Sequence, residues 1–223
     1  MKAESAPTVV LGAGGHAFSV IAALRADPRY APVAALDIDA RRWGTKVAGV
    51  PILGGDALLA RLIRQGVRHF AVGVGGIADN APRRAVFERA IAVGLHGVAL
   101  VHPSANLAGD LRIGAGSFIG PGAIVNAGVR IGRNTIVNTG AIVEHDVRLG
   151  DHVHVASGAI ICGGVQVGAG AHIGAGATVR QYLRIGAGAL VALGAAVVAP
   201  VRSHTAVGGV PARPIQAVRK AKS

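Results

Sequence analysis

The chain reads as two joined folds, a small α/β parallel sheet of Rossmann-like character followed by a parallel β-helix of hexapeptide repeats. Three observations predict this. Stepping by six from Val101, every position through Val197 is aliphatic, with no insertion. A glycine often follows the aliphatic (Gly114, Gly120, Gly132, Gly150, Gly168, Gly174, Gly186), and a small residue often stands two before it (Ala123, Thr135, Ala141, Ala159). Period six suits neither an amphipathic helix nor a plain strand, but it suits short rungs stacked into coils. Composition agrees: 34 glycines and only 3% aromatics fit tight corners and narrow interiors. The third observation is that strand-like and helix-like segments alternate before residue 100, as a parallel sheet requires.

Taken in order, Thr8–Leu11 is an apolar strand, Gly12–Ala17 a sharp turn, and Phe18–Arg25 a helix. Pro28 and Pro32 bracket the way to a second strand, Val33–Asp37, and Gly49–Gly54 is a short extended piece. Asp56 is placed to cap a helix through Arg64. His69–Val74 is a buried strand, Ala81–Val93 a helix, and Gly97–Val101 the last strand before His102-Pro103-Ser104 hands over to the repeats. Roughly three hexads close one triangular coil. The predicted organisation is residues 1–100 as a nucleotide-binding domain, 101–199 as the β-helix, and 200–223 as an extension ending in a short helix or tail.

Composition excludes several classes. Hydrophobic residues make up 51% of the chain, yet no uninterrupted apolar run is long enough to span a bilayer, so no membrane partner is expected. Met1-Lys2-Ala3-Glu4 leads straight into a strand without a signal-peptide pattern. The single cysteine, Cys162, precludes an internal disulfide framework and suits a cytoplasmic location. The net charge of +12 favours anionic partners. Scattered basic residues without aromatic stacking platforms speak against nucleic acid and for phosphorylated small molecules.

Gly12-x-Gly14-x-x-Ala17 after a strand, with Asp37 closing the next, has the spacing of a phosphate-binding turn. Glycines let the backbone approach a phosphate while a helix N-terminus aims amides at it. About one βαβαβ half fits before residue 100, which favours a mononucleotide or nucleotide-sugar over a dinucleotide; a ligand-free turn stays open. Glu144-His145-Asp146 breaks the small-residue rhythm at a corner, where a histidine held by a carboxylate serves as a base. His154 lies nine residues on, half a coil away. Both also read as ordinary exposed histidines, and His152 and His172 as bystanders. His145, His152 and His154 match no familiar zinc spacing, so no metal is expected. Asn126 and Asn138 are placed to bond corner backbone.

Gly12–Ala17 (Gly-Ala-Gly-Gly-His-Ala), Gly49–Gly54 (Gly-Val-Pro-Ile-Leu-Gly), His102–Ala105 (His-Pro-Ser-Ala), Asn138–Asp146 and Gly208–Arg213 (Gly-Gly-Val-Pro-Ala-Arg) occur in that order. Together they resemble the bacterial nucleotide-sugar N-acetyltransferases of the left-handed β-helix class, often labelled sialic acid O-acetyltransferase-type, from Val9 to Ile215. The resemblance implies a homotrimer with a left-handed parallel β-helix, an N-terminal domain for a UDP- or GDP-sugar, and acetyl transfer from acetyl-CoA to an amino group, commonly the 4-amino group. Carried over, His145 is the general base and Asp146 its orienter. Gly12, Gly14, Gly15, His16 and Asp37 hold the nucleotide-sugar acceptor. His154 comes from the neighbouring subunit's side and helps seat acetyl-CoA or the acceptor. Gly163 lies at the thioester, Gly174 and Ala175 toward the adenine, and Arg213 at the coenzyme's 3′-phosphate. Two segments depart from the family pattern: the loop from Gly73 to Arg84, and the rung Arg180-Gln181-Tyr182 in place of a proline-containing corner. O-acetylation of a sugar hydroxyl and a non-catalytic β-helix are the alternatives.

Overall fold

A computed structural model describes residues 5–76 and 79–216. The N-terminal sheet contains β1 (Ala6–Leu11), β2 (Tyr30–Leu36), β3 (Lys46–Val47), β4 (Val50–Gly54), β5 (His69–Val72) and β6 (His96–Gly97), in the order β3-β4-β2-β1-β5-β6. All its pairings are parallel except β3 with β4. Helix α1 (Gly15–Ala26) covers one side, and α2 (Leu59–Arg64) and α3 (Ala81–Ala92) cover the other. The expected helix at Asp56 begins instead as a 3-10 turn behind Gly55, and the Asp56 carboxylate pairs with Arg89 of α3 at 2.8 Å rather than capping. The segment expected as one strand, Gly97–Val101, is divided. His96–Gly97 closes the N-terminal sheet, and Leu100–Val101 is the first rung of the β-helix.

From there two-residue strands stack in three faces. Each rung pairs in parallel with the one 18 residues away, as in Ile136↔His154↔His172. The first face runs through Leu100–Val101, Phe118–Ile119, Ile136–Val137, His154–Val155, His172–Ile173 and Leu190–Val191; the second through Ile124–Val125, Ile142–Val143 and Ile160–Ile161; the third through Arg130–Ile131, Arg148–Leu149, Gln166–Val167 and Arg184–Ile185. The aliphatics of the six-residue step point inward and form one core, fully buried from Ile119 onward and half-buried in the first coil at Val101, Leu107 and Ile113. The final coil is two residues shorter: Gly168 N–H reaches Ile185 O, but Gly186 N–H reaches Val201 O. Between residues 201 and 216 the chain forms strands, and the short helix or tail expected at its end lies outside the described residues. Ala206–Gly208 stacks on Leu190–Val191, and Arg213–Pro214 turns back antiparallel to it.

The two folds pack together through the first face. Its lower outward residues, Leu100, Phe118 and Ile136, are at most 2% exposed and bury against Ala17, Val20, Ile21 and Leu24 of α1. Each such side chain contributes about 1.5–3 kcal/mol of burial. Helix α3 latches onto the adjacent corner. Arg83, fully buried, donates to the carbonyls of Val72 and Val74 in its own domain and of Gly116 and Asn134 in the β-helix. Asn80 Nδ2 donates to the carbonyls of His152, Gly170 and Ala171, and Glu88 meets His152 Nε2 at 3.2 Å. Burial pushes the Arg83 guanidinium down to about 9, which leaves it charged at neutral pH.

Candidate active site

Above the buried part of the first face the domains separate and leave a cavity of about 820 Å³. Gly12, Gly14, Gly15, His16 and Asp37 line its N-terminal side, and Asn138, Thr139, His154 and Ser157 line its β-helix side. The six residues expected to bind the acceptor therefore meet around one space, although His154 lies 117 or more residues beyond the other five.

The turn is built for close approach. Gly12 adopts φ +94°, a left-handed conformation, and a Cβ there would run into Val74. Gly14 caps α1 without any side-chain bond, so the helix opens with free amides toward the cavity. Asp37 braces this arrangement: Oδ2 accepts from Ala13 N–H at 2.7 Å and Oδ1 from Asp39 N–H at 2.9 Å, with Arg42 at 3.8 Å. Arg42 also lines the cavity. An apolar annex of about 290 Å³ opens beside Asp37, walled by Leu36, Ile38, Pro82 and Val86.

Two imidazoles complete the floor. Burial lowers His16 to about 3, with Arg83 and then His154 adding to the effect. Burial, then His172 and Arg83, lowers His154 to about 3. Both are neutral at physiological pH, and His16 Nε2 is buried without a hydrogen-bond partner among the described residues. His172 stacks edge-on above His154 at 4.8 Å between ring centroids, so it belongs to the same wall rather than standing apart. His152 is likewise no bystander: it receives Asn134 at 3.0 Å within the α3 latch. Asn138 Oδ1 accepts from Thr139 N–H as a corner amide, and its Nδ2 lies 3.4 Å from His154 Nε2. Asn126 instead donates to the Glu144 carboxylate at 2.8 Å, not to corner backbone.

His145 and Asp146 stand elsewhere. They occupy the corner between the second and third faces, opposite the first face and outside the cavity of their own chain. His145 Nδ1 lies 3.0 Å from Asp146 Oδ2, with both side chains more than half exposed. Asp146 sits at φ +60° in a position that one coil below and above is glycine, Gly128 and Gly164. A left-handed non-glycine residue costs on the order of 1–3 kcal/mol and tends to cluster at working sites. The imidazole lies over Gly163, whose N–H has no hydrogen-bond partner among the described residues. One coil higher, the exposed ring of Tyr182 covers Gly164. Gly174 and Ala175 continue upward from Ala156 and Ser157 on the cavity's own corner, and Arg213 lies on the terminal antiparallel strand, exposed, four strands above His154. Cys162 is half-buried beside Gly163. No cluster of three metal-ligating side chains exists among the described residues, and no helix there is long and apolar enough to cross a membrane.

Residues 8–90 match the PglD N-terminal domain, and residues 110–145 and 146–181 match the bacterial transferase hexapeptide (six repeats). A variant of perosamine N-acetyltransferase from Caulobacter crescentus, solved with CoA and GDP-perosamine, is 36% identical and superposes with a TM-score of 0.87 over 95% of this chain and 97% of that one. The acetyltransferase domain of PglB from Neisseria gonorrhoeae, solved with acetyl coenzyme A, is 33% identical with a TM-score of 0.84 over 95% and 100%. WeeI from Acinetobacter baumannii is 28% identical with a TM-score of 0.82 over 95% and 100%. No curated protein sequence matches the chain.

Proposed function

Because the chain belongs to the nucleotide-sugar N-acetyltransferases that join a PglD-type N-terminal domain to a hexapeptide-repeat β-helix, we propose that it moves the acetyl group of acetyl-CoA onto the 4-amino group of a sugar carried on a nucleoside diphosphate. The observation that carries this reading is the shared cavity, in which a phosphate-binding turn on one domain faces a neutral histidine on the other. The base sits beside Asp37, the diphosphate at the α1 amides, and the sugar reaches toward His154 and Asn138.

Burial holds the two histidines that line the cavity of a single chain, His16 and His154, far below the usual imidazole range, so neither is suited to take a proton. His145 supplies it from a second copy. The outward residues of the second face, Ile124, Ile142 and Ile160, are aliphatic and form a flat face suited to self-association. Three copies placed with this face toward a common axis bring the His145 corner of one chain to the cavity of the next, in a homotrimer. Acetyl-CoA then lies in the cleft between copies, its thioester at His145 and Gly163, with Gly174 and Ala175 on the opposite wall. Arg213 stands at the upper end for the 3′-phosphate.

The amine attacks the thioester carbonyl while His145 Nε2 accepts its proton. Asp146, bonded to Nδ1, fixes the tautomer and stabilises the imidazolium. The Gly163 amide is placed to donate to the carbonyl oxygen as it gains charge. Collapse expels the coenzyme A thiolate, so no covalent enzyme intermediate is needed. A free-thiol assay with acetyl-CoA and UDP-, GDP- and dTDP-linked 4-amino sugars, beside their hydroxyl counterparts, tests the reading. Thiol release with one amino sugar and its loss in His145→Ala support it; release only with a hydroxyl sugar refutes it.

A further inference from the structure

The third face carries a feature that acetyl transfer does not use. Its outward side chains stack in register as Arg112, Arg130, Arg148, Gln166 and Arg184. All five are exposed, and among the described residues none of the four arginines has a carboxylate within ion-pair distance. Adjacent rungs are spaced about 4.8 Å apart, so Arg112, Arg130 and Arg148 hold three like charges directly opposite one another, an unfavourable arrangement for an isolated sheet. Beside them runs a groove of about 500 Å³ whose far side is formed by Gly132, Gly150, Gly168 and Gly186, which carry no side chains. The one acid lining it, Asp151, is already paired with Arg133 at 3.0 Å.

We propose that this face is a docking strip for an acidic α-helix of a partner protein. The charges form a single straight file, not a broad patch. A helix that bears carboxylates at i, i+3, i+7 and i+10 presents them along one stripe, in steps of about 4.5 and 6 Å, averaging about 5 Å. That spacing matches the rungs, so three of the carboxylates meet the guanidinium groups of Arg112, Arg130 and Arg148 and the fourth reaches Gln166. The glycine column leaves the helix body room to approach. Nucleic acid fits less well because no aromatic side chain stands in the outward column to stack a base. A membrane fits less well because the strip offers no apolar side chain for insertion. The second face, with its isoleucines, suits another copy of the chain; the third face, with its unpaired cations, does not.

Fluorescence anisotropy of the full-length protein tests this with a labelled helical peptide carrying glutamates at i, i+3, i+7 and i+10. An isomer of the same composition, with the glutamates spread around the helix, serves as the comparison. At low salt the striped peptide is expected to bind about tenfold or more tightly than its isomer, and high salt should remove most of that binding. Arg130→Gln with Arg148→Gln should erase the preference, while thiol release from acetyl-CoA and the melting temperature stay as in the parent. Arg148→Glu with a matching Glu→Lys peptide should restore it. Equal binding of the two peptides, or an unchanged preference in the double variant, overturns the proposal. So does displacement of the striped peptide by a single-stranded oligonucleotide or by phosphatidylserine vesicles at lower concentrations than the peptide itself requires.

Discussion

Gly163→Ala is the substitution that isolates the placement of His145 from its presence. A Cβ built on Gly163 falls 2.5 Å from His145 Nε2, 2.7 Å from Cε1 and 3.1 Å from Cδ2, so its three nearest neighbours all belong to that ring. Ordinary contact between such atoms is about 3.5 Å, so the ring must move by about 1 Å. It has room to do so, because the His145 side chain is 55% exposed. The backbone at Gly163 is not left-handed, so alanine adds no strain there. The displaced ring leaves its 3.0 Å bond to Asp146 and its line to the acceptor amine. A misplacement of this size costs about 100-fold in rate, at the low end of the roughly 10²–10⁴-fold contribution of a general base. The assay is steady-state thiol release, read beside a thermal melt. The expected result is kcat down about 100-fold with KM for the nucleotide-sugar and the melting temperature nearly unchanged. A Gly163→Ala enzyme with kcat close to the parent value would refute the placement of the base at this corner.

Arg83→Met removes the donors that hold Val72, Val74, Gly116 and Asn134 carbonyls across the domain junction. After relief of the buried charge, a net loss of about 3 kcal/mol is expected, seen as a drop in melting temperature of roughly 10 °C; an unchanged melt would show that the latch is dispensable. Stability should also fall on acidification. His16 and His154 titrate near 3 in the folded chain and near 6.5 unfolded, so below pH 6.5 the unfolded state binds protons that the native state refuses, down to about pH 3. From pH 7 to 5 this costs about 2 kcal/mol for each histidine, or roughly 4 kcal/mol together. Denaturant titrations at the two pH values measure it, and His16→Asn should remove about half of the difference; a pH-independent midpoint would contradict the burial. Ile142→Glu puts a charge at the middle of the second face and should convert the assembly to single chains in light scattering, with thiol release lost; an active single chain would remove the need for a second copy.

The β-helix is legible in the sequence because its rule is strictly local. An aliphatic every sixth residue must face inward if the coil closes every 18 residues, and Ile119 through Val197 do so. The cavity is half legible. Gly12, Gly14 and Asp37 carry their meaning in their spacing along the chain, whereas Asn138, Thr139 and Ser157 are ordinary corner residues until the N-terminal domain is laid against them. His172 and His152 read as bystanders for the same reason: stacking and latching are set by the 18-residue register and by α3, not by neighbours in sequence. Arg83 falls in the segment that departs from the family pattern, and its burial is set by the β-helix packed against α3. A subtler signal lies in the corners. Asp110, Asp146 and Tyr182 stand in for left-handed glycines at one corner, and Asn134, His152 and His204 at another, so the departures from glycine include Asp146 beside His145 and two residues of the domain latch.

The shortened final coil and its antiparallel strand have a consequence beyond the shape of the tip. A stack of short parallel rungs in register is, by geometry, a segment of cross-β fibril, and each open end is a template on which another chain can lay the next rung. At the lower end the inward aliphatics of the first coil, Val101, Leu107 and Ile113, stay only half-buried, so that template is covered in part. At the upper end, Arg213–Pro214 runs against Val207–Gly208 in the opposite direction, with a charge and an imino residue that has no N–H to offer. Such a terminus keeps the molecule discrete. Deleting it would expose the growing edge, and head-to-tail polymerisation would then compete with folding.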